Sequence, residues 1–563
     1  MTAAAPLRTG GQILVDQLRI HGIDQVFCVP GESYLAVLDA LHDCDITVTV
    51  CRQEGGAAMM AEAHGKLTGR PAACFVTRGP GSTNAMPGIH IAEHDSTPML
   101  MFVGQVDRSM HERGAFQELD YRAVFGSMTK WTVEIDDPAR IPELVSRAVH
   151  LCQSGRPGPV VLALPEDMLV EKARAVDALP ARVPEVHPGM TAMAELQSML
   201  AAAERPLLVL GGSRWTAATV ASFERYAAAH DLPVAVAFRR QMLFSHDHDC
   251  FAGDLGFGSN PALLEQVRSA DLLVLVGTRM AEVPSQGYTL LEVPVPRQRL
   301  VHVMADAAEL GKVYQPTLSI CASPVAFVEA LVQLPLPPSA ARSATCSAAR
   351  RSCIAWRDPK PVRTPGRLQM AEVIEQLDAT LPADAVLCNG AGNYATWIHR
   401  FHRFTTFGTQ LAPTSGSMGY GVPAAVGAKR IDPQRTVIAF AGDGCFLMNG
   451  QEFATAVQYQ LAIIVIVVDN GMLGTIRMHQ EREYPGRTVA TTLVNPDFAA
   501  YARAFGGHGE TVESTEQFLP ALERARASGL PSILHLLLDA EAITPSTTLT
   551  RIRAAALARQ AQR

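Results

Sequence analysis

Residues 436–471 read TVIAFAGDGCFLMNGQEFATAVQYQLAIIVIVVDNG. An apolar, strand-length run from Thr436 to Ala441 ends in Gly442-Asp443-Gly444, a helical stretch follows through Gln451 to Gln460, and a second apolar run from Ile463 to Val468 ends in Asp469-Asn470-Gly471. Strand, helix and strand of these lengths make one crossover between parallel strands. Both polar turns then lie at carboxyl ends of parallel strands, where open α/β sheets bind ligands. Asp443 and Asn470 are 27 positions apart, the span of one such crossover, and can converge.

A carboxylate, an amide oxygen and a backbone carbonyl, most simply that of Met472, supply three hard oxygen donors. That set suits Mg²⁺, whose octahedral shell leaves room for phosphate oxygens and water. Gly442 and Gly444 let backbone N–H groups approach a diphosphate, and a helix beginning near Cys445 presents its positive end. A lone Gly-Asp-Gly is more often only a turn. The glycine-flanked acid, the crossover spacing, the buried strand and the Asn-Gly together carry the reading.

Outward from this stretch, the chain repeats the alternation of apolar runs and helical stretches, as at Ala73 to Thr77, Val160 to Leu164, Leu207 to Leu210 and Leu272 to Val276. Composition breaks at Val170 to Gly189 and at the Pro-rich Leu334 to Arg367, which reads as a surface linker. At roughly 150 residues per domain, 563 residues fit the three blocks so delimited. The expected fold is α/β, with three doubly wound parallel-sheet domains at 1–175, 190–335 and 366–545. The outer blocks share an order: a small-residue helix (Gly55, Gly56, Ala57, Ala58; Gly421, Ala424, Ala425, Gly427), a strand, then Gly79-Pro80-Gly81 or Gly442-Asp443-Gly444. All doubly wound domains share such an order, so periodicity alone leaves a true repeat open.

Hydrophobic residues at 48% and charged residues at 18% exclude disorder, and a net charge of −7 without basic clusters excludes a nucleic-acid or polybasic membrane binder. The 11 cysteines are scattered with no Cys-x-x-Cys, against a disulfide framework or zinc site. No long apolar segment opens the chain, and a cytoplasmic protein with a small-molecule partner is expected. An NAD-dependent reading fails because no Gly-x-Gly-x-x-Gly opens a helix with an acid about 20 residues on.

The Gly442-Asp443-Gly444 and Asn470 pattern resembles the diphosphate and metal motif of thiamine-diphosphate-dependent enzymes. Gln53-Glu54-Gly55-Gly56-Ala57-Ala58, Gly79-Pro80-Gly81-Ser82-Thr83-Asn84, Gly114-Ala115-Phe116-Gln117-Glu118, Gly155-Arg156-Pro157-Gly158-Pro159-Val160 and Gly416-Ser417-Met418-Gly419-Tyr420-Gly421 are similar to the acetolactate synthase branch. The resemblance spans all three blocks, which become pyrimidine-binding, central and diphosphate-binding domains.

The resemblance implies thiamine diphosphate and Mg²⁺, the latter on Asp443, Asn470 and Met472. It implies cofactor contacts at Gly442, Gly444, Cys445, Asn393, Leu473 and Gly474. Glu54 matches the glutamate that bonds the pyrimidine ring and makes the cofactor's own 4′ nitrogen the base; read alone, it is a solvated acid opening a helix. Met418 matches the apolar side chain under the bent cofactor, and the Gly416 carbonyl its 4′-amino acceptor; read alone, Met418 is a core residue. Gln117 and Lys130 match segments lining the cofactor entrance, although a solvated loop lysine is as common. His90 and His94, four apart, share a helix face and resemble in type the histidines that decarboxylases use for proton transfer; singly, each reads as structural. The family brings Glu54 and the metal donors together across a subunit interface, which implies a homodimer at minimum and a homotetramer as the expected assembly.

Carboligation of 2-oxoacids, as in acetolactate synthase, is the expected activity. A non-ligating decarboxylase or C–C lyase is the alternative, and a catalytically silent relative is opposed by intact Glu54, Asp443 and Asn470. Three departures bear on this. Asp469-Asn470 replaces the usual Asn-Asn, and Gly471-Met472-Leu473-Gly474-Thr475 is closer to benzoylformate-decarboxylase-type enzymes. Gly390-Ala391-Gly392-Asn393-Tyr394 stands where the synthases carry Gln-His, and Asn393 retains a donor for phosphate. The central block carries Gly211-Gly212, Gly277-Thr278-Arg279 and Val301 to Asp306, similar to a structural FAD domain. Met304, Ser323 and Pro284-Ser285-Gln286-Gly287-Tyr288 depart from it, so both an FAD site and a flavin-free scaffold stand open.

Overall fold

The computed structural model describes residues 6–562. Residues 1–5, part of the opening read above as lacking a long apolar segment, thus lie outside the described residues. Three six-stranded parallel sheets carry the chain, and a two-stranded antiparallel ribbon pairs Leu7–Thr9 with Lys172–Arg174.

The first sheet runs Thr47–Val50, Gln25–Cys28, Ala73–Thr77, Met99–Gln105, Pro159–Pro165, Trp131–Glu134. The third runs Gln410–Leu411, Val386–Asn389, Val437–Gly442, Ile464–Asp469, Ser532–Leu537, His508–Val512. Numbered along the chain within each sheet, both have the order second, first, third, fourth, sixth, fifth. The outer blocks are therefore repeats in topology as well as in pattern. The central sheet differs, running Phe251–Leu255, Val234–Ala237, Pro206–Leu210, Leu272–Val276, Arg299–Met304, Leu318–Cys321. Its order of third, second, first, fourth, fifth, sixth is that of dinucleotide-binding folds.

The central strands of each sheet are covered by helices, which explains their unbroken apolar runs. Every residue of Met99–Gln105 and Pro159–Pro165 is buried, and each Val or Leu so placed contributes about 1.5–3 kcal/mol.

Compactness divides the chain into one unit of Met1–Pro184 with Pro413–Ile431 and a second of Glu185–Ala412 with Asp432–Arg563. In the first unit, the helix Glu54–Thr68 packs against Arg78–Asp95 and Gly421–Ile431. A Cβ at Gly88 would stand 2.4 Å from the Ala58 Cβ, and one at Gly427 would stand 3.0 Å from the Met60 carbonyl oxygen. This close approach is the physical reason for the small-residue helices.

In the second unit, the linker expected at Leu334 to Arg367 contains an 18-residue helix, Ala340–Arg357. Ser339 caps it, and Arg342, Cys346, Ala349 and Cys353 form its buried stripe. The Arg342 guanidinium donates to the carbonyls of His230 and Pro337, each at 2.6 Å. Cysteine and alanine make a stripe that hydropathy reads poorly, and the flanking prolines masked it. The helix expected near Cys445 begins at Asp443 and ends at Asn449, followed by Glu452–Gln458. A helix Leu549–Ala561 packs on Gly474–Glu483, tied by an Arg553–Glu481 ion pair. No helix among the described residues is long and apolar enough to cross a membrane.

Candidate active site

In the first unit, Glu54 is the first residue of its helix, and the preceding Gln53 side chain accepts from Gly56 N–H as the cap. Its carboxylate accepts from the Asn84 amide at 3.0 Å, and a Cβ at Gly81 would lie 3.6 Å from it. The expected glycine turn 79–81 is thus the opening of a helix, Arg78–Asp95, seated under Glu54. Gln117 reaches the same place: its carbonyl accepts from Gly79 N–H at 2.9 Å, and its φ of 66° is left-handed. Asn84, inside a quoted motif, is a partner that spacing alone did not single out.

His90 and His94 lie on one helix face, with ring centroids 4.3 Å apart and planes tilted by 54°. They lie nine and thirteen residues beyond Gly81, roughly 14 to 20 Å along the helix. The Lys130 ammonium donates to the carbonyls of Ser154 and Arg156, closing the loop before Pro159–Pro165. None of these three is placed against Glu54 by a described hydrogen bond.

Gly416 has a φ of 70°, left-handed, and Met418 two residues on is half-buried. The segment carrying them is pinned at both ends. Thr414 N–H donates to Asp95 Oδ1 at 2.8 Å, and the Tyr420 hydroxyl donates to Glu62 Oε2 at 2.5 Å. Glu62 also accepts from Thr97 Oγ1 at 2.7 Å and lies 3.1 Å from the Lys66 ammonium, which contacts Asp95 as well. Both carboxylates are fully buried and share Lys66. A buried carboxylate that loses a donor keeps its desolvation cost. Tyr420→Phe is therefore expected to destabilise the protein by about 1–3 kcal/mol, read as a lower midpoint of urea unfolding with the secondary structure retained.

In the second unit, the third and fourth strands of the last sheet present Asp443 and Asp469-Asn470 at their carboxyl ends. Asp443 Oδ1 accepts from Gly444 N–H at 2.8 Å, and Oδ2 accepts from Met472 N–H at 3.1 Å. The Asn495 amide donates to Asp443 Oδ2 and to Asp469 Oδ1, both at 2.8 Å. His535, from the adjacent strand, contacts Asp469 Oδ2 at 2.9 Å. Leu473 N–H donates to the Thr491 carbonyl and Leu493 N–H to the Gly471 carbonyl, which ties the 491–495 segment to the loop after Asp469. Gly474 lies beside the Asn470 side chain, since a Cβ there would be 3.1 Å from its Nδ2. Asn393 Oδ1 accepts from Thr475 Oγ1 at 2.9 Å, which joins the 390–394 segment to the same loop. Cys445 Sγ lies 3.3 Å from the Tyr394 hydroxyl. Asn495 and His535 carried no signal in the sequence, because each is set by strand or loop register, and Thr475 lay inside a quoted stretch without being singled out.

Burial pushes the Asp443 carboxyl up to about 6, with the Asp469 charge adding to it against the Gly444 N–H and Asn495. Burial acts on Asp469 too, but His535, Gly471 N–H and Asn495 outweigh it and hold that carboxyl below its ordinary range. Two carboxylates share one amide beside a buried Asn495 Oδ1 without a hydrogen-bond partner, an arrangement whose charge a divalent cation would offset. No cluster of three or more His, Cys, Asp or Glu suited to a metal occurs among the described residues. The donors expected here are instead one carboxylate, one amide and one carbonyl.

Residues 8–124, 193–331 and 390–536 match the thiamine pyrophosphate enzyme N-terminal TPP binding domain, central domain and C-terminal TPP binding domain. The chain is 31% identical over 532 residues to the acetolactate synthase isozyme 2 large subunit of Escherichia coli, covering 94% of this chain and 95% of that one. It is 32% identical over 544 residues to the acetolactate synthase large subunit of Parasynechococcus marenigrum, covering 94% and 87%. The corresponding subunit of Corynebacterium glutamicum is 31% identical over 549 residues, covering 93% and 86%.

Proposed function

From membership of the thiamine pyrophosphate enzyme family, to which this chain belongs alongside the acetolactate synthase large subunits, we propose that it is a carboligase dependent on thiamine diphosphate and Mg²⁺. Its substrates are 2-oxoacids, and acetolactate-type joining of pyruvate is the leading activity. The observation that carries the reading is the convergence of Asp443, the Asn470 loop and Met472 at the carboxyl ends of two adjacent parallel strands.

Bound thiamine diphosphate supplies a nucleophilic carbon and an electron sink that let a 2-oxoacid lose CO₂. The chain's own residues do the rest. Asp443, Asn470 and the Met472 carbonyl would hold Mg²⁺, which would supply positive charge for the diphosphate. Gly442, Gly444, Cys445, Asn393, Leu473 and Gly474 line the diphosphate end. Glu54, oriented by Asn84, holds a proton at the pyrimidine ring. Gly416 and Met418, on the segment pinned by Asp95 and Glu62, receive the 4′-amino group and support the bend. Gln117 stands by the reacting end, and His90, His94 and Lys130 are the remaining candidates for acid–base and carboxylate contacts.

The same reading carries a cytoplasmic location and a homodimer at minimum, with a homotetramer expected by sedimentation. FAD is an optional resident of the central block, where Ser323 is buried and caps the helix Pro324–Leu331. An absorbance scan of the purified protein decides between FAD and a flavin-free scaffold.

A second reading, a non-ligating decarboxylase or C–C lyase, is favoured by Asp469 before Asn470 and by the Gly471–Thr475 loop. Incubation with thiamine diphosphate, Mg²⁺ and a panel of 2-oxoacids, assaying CO₂ and organic products together, separates the two. Acetolactate from pyruvate is expected. CO₂ with free aldehyde moves the assignment to the second reading, and no turnover of any 2-oxoacid rejects both.

A further inference from the structure

The central strand Val234–Ala237 runs into Phe238-Arg239-Arg240-Gln241. Arg239 has a φ of 57°, in the left-handed region that favours glycine, and is only 4% exposed. A strained backbone and a buried guanidinium are each costly. Glycine would remove both costs, so the side chain must be doing something that glycine cannot.

The guanidinium leaves its own sheet. Arg239 donates at 3.0 Å to the carbonyl of Gly390, which also receives the Asn389 amide at 2.8 Å. Gly390 opens the 390–394 segment, and Tyr394 carries the contact onward. A Cβ at Gly442 would stand 3.0 Å from the Tyr394 ring, and the Tyr394 hydroxyl meets Cys445. A path thus runs from Arg239 through Gly390 and Tyr394 to Gly442 on one side of Asp443 and to the Cys445 side chain on the other.

The neighbours hold this arrangement. Arg240 donates to the Arg239 carbonyl at 3.0 Å and to the Gly212 carbonyl at 2.9 Å. Gln241 N–H donates to Gln410 Oε1 at 2.8 Å, the Gln410 amide returns a bond at 2.9 Å, and the Gln241 amide donates to the His399 carbonyl at 2.6 Å.

We propose that Arg239 is a positioning residue for the diphosphate end of the cofactor, holding the Gly390–Tyr394 segment in its binding arrangement and setting a fixed positive charge behind it. This rests on the thiamine diphosphate reading above. The central domain thereby takes part in cofactor binding through a residue just beyond the carboxyl end of one of its inner strands.

The test compares the full-length protein with Arg239→Gly and Arg239→Lys, titrating thiamine diphosphate with Mg²⁺ by calorimetry and measuring melting without cofactor. Arg239→Gly should weaken binding about tenfold or more, with cofactor-free melting within a few degrees of the parent because relieved strain offsets lost contacts. Arg239→Lys should fall between, since an ammonium keeps the charge but not the fork of donors. Low millimolar guanidinium should restore affinity to Arg239→Gly. Unchanged affinity in Arg239→Gly overturns the proposal. A weakened affinity with a large loss of melting temperature and no guanidinium rescue also overturns it, in favour of a plain structural brace. Should Arg239→Gly not fold, parent-like affinity in Arg239→Lys with a lowered melting temperature has the same consequence. Absence of binding by the parent protein strikes the cofactor reading itself.

Discussion

Glu54→Gln is expected to leave thiamine diphosphate bound while slowing proton exchange at its thiazolium carbon by about 10²- to 10⁴-fold, the usual worth of one placed acid–base group. The glutamine is nearly isosteric and can still meet the Asn84 side chain that orients Glu54. It cannot hand a proton to the pyrimidine nitrogen and take it back. NMR-monitored exchange of bound cofactor in deuterated buffer isolates this step from substrate binding and product release. An exchange rate equal to the parent's would remove Glu54 from the assignment. Asn84→Ala should give a smaller loss of the same kind, because it frees the carboxylate without deleting it.

Asp443→Ala is the second large effect. It deletes one of the three proposed metal donors and the acceptor that gathers Met472 N–H and Asn495. Affinity for thiamine diphosphate should fall at least about 100-fold in Mg²⁺ and lose most of its dependence on Mg²⁺ concentration. Calorimetry giving equal affinity with and without the substitution would reject the donor role.

A pH dependence accompanies it in the parent protein. With the Asp443 carboxyl pushed up to about 6, the metal-free site holds, below that pH, a proton that the cation must displace. Mg²⁺ affinity should be level above that value and fall by about tenfold per pH unit below it. The sign follows from a raised carboxyl: the metal-free folded protein binds this proton more tightly than the unfolded chain does. Falling pH therefore favours the empty site and disfavours the loaded one. Asp443→Ala should flatten the profile.

The strands, the crossover from Asp443 to Asn470 and the repeated order of the outer blocks were legible because each is written in local periodicity. An apolar run of five or six residues followed by glycine and an acid has few readings when a helix and a second run follow at crossover length. The helix in 340–357 was not legible, since its buried stripe is Arg342, Cys346, Ala349 and Cys353 between proline-rich flanks. His535 was out of reach for another reason. It meets Asp469 because Val467 and His535 are paired in register across two parallel strands, and register is settled by packing over the whole sheet.

By itself, then, the sequence determined the α/β class, the three blocks, the acid and amide at successive strand ends, and Glu54 at a helix opening, all of which depend on neighbours in the chain. Only the tertiary structure decided that Asn495, 52 residues after Asp443, bridges two carboxylates. Only it decided that Glu62 and Asp95 pin the Gly416–Met418 segment, and that Arg239 crosses from one domain to the next. Each of those contacts joins groups distant in sequence, and its formation depends on loop closure and on the burial of charge against a specific partner. Spacing along the chain carries neither.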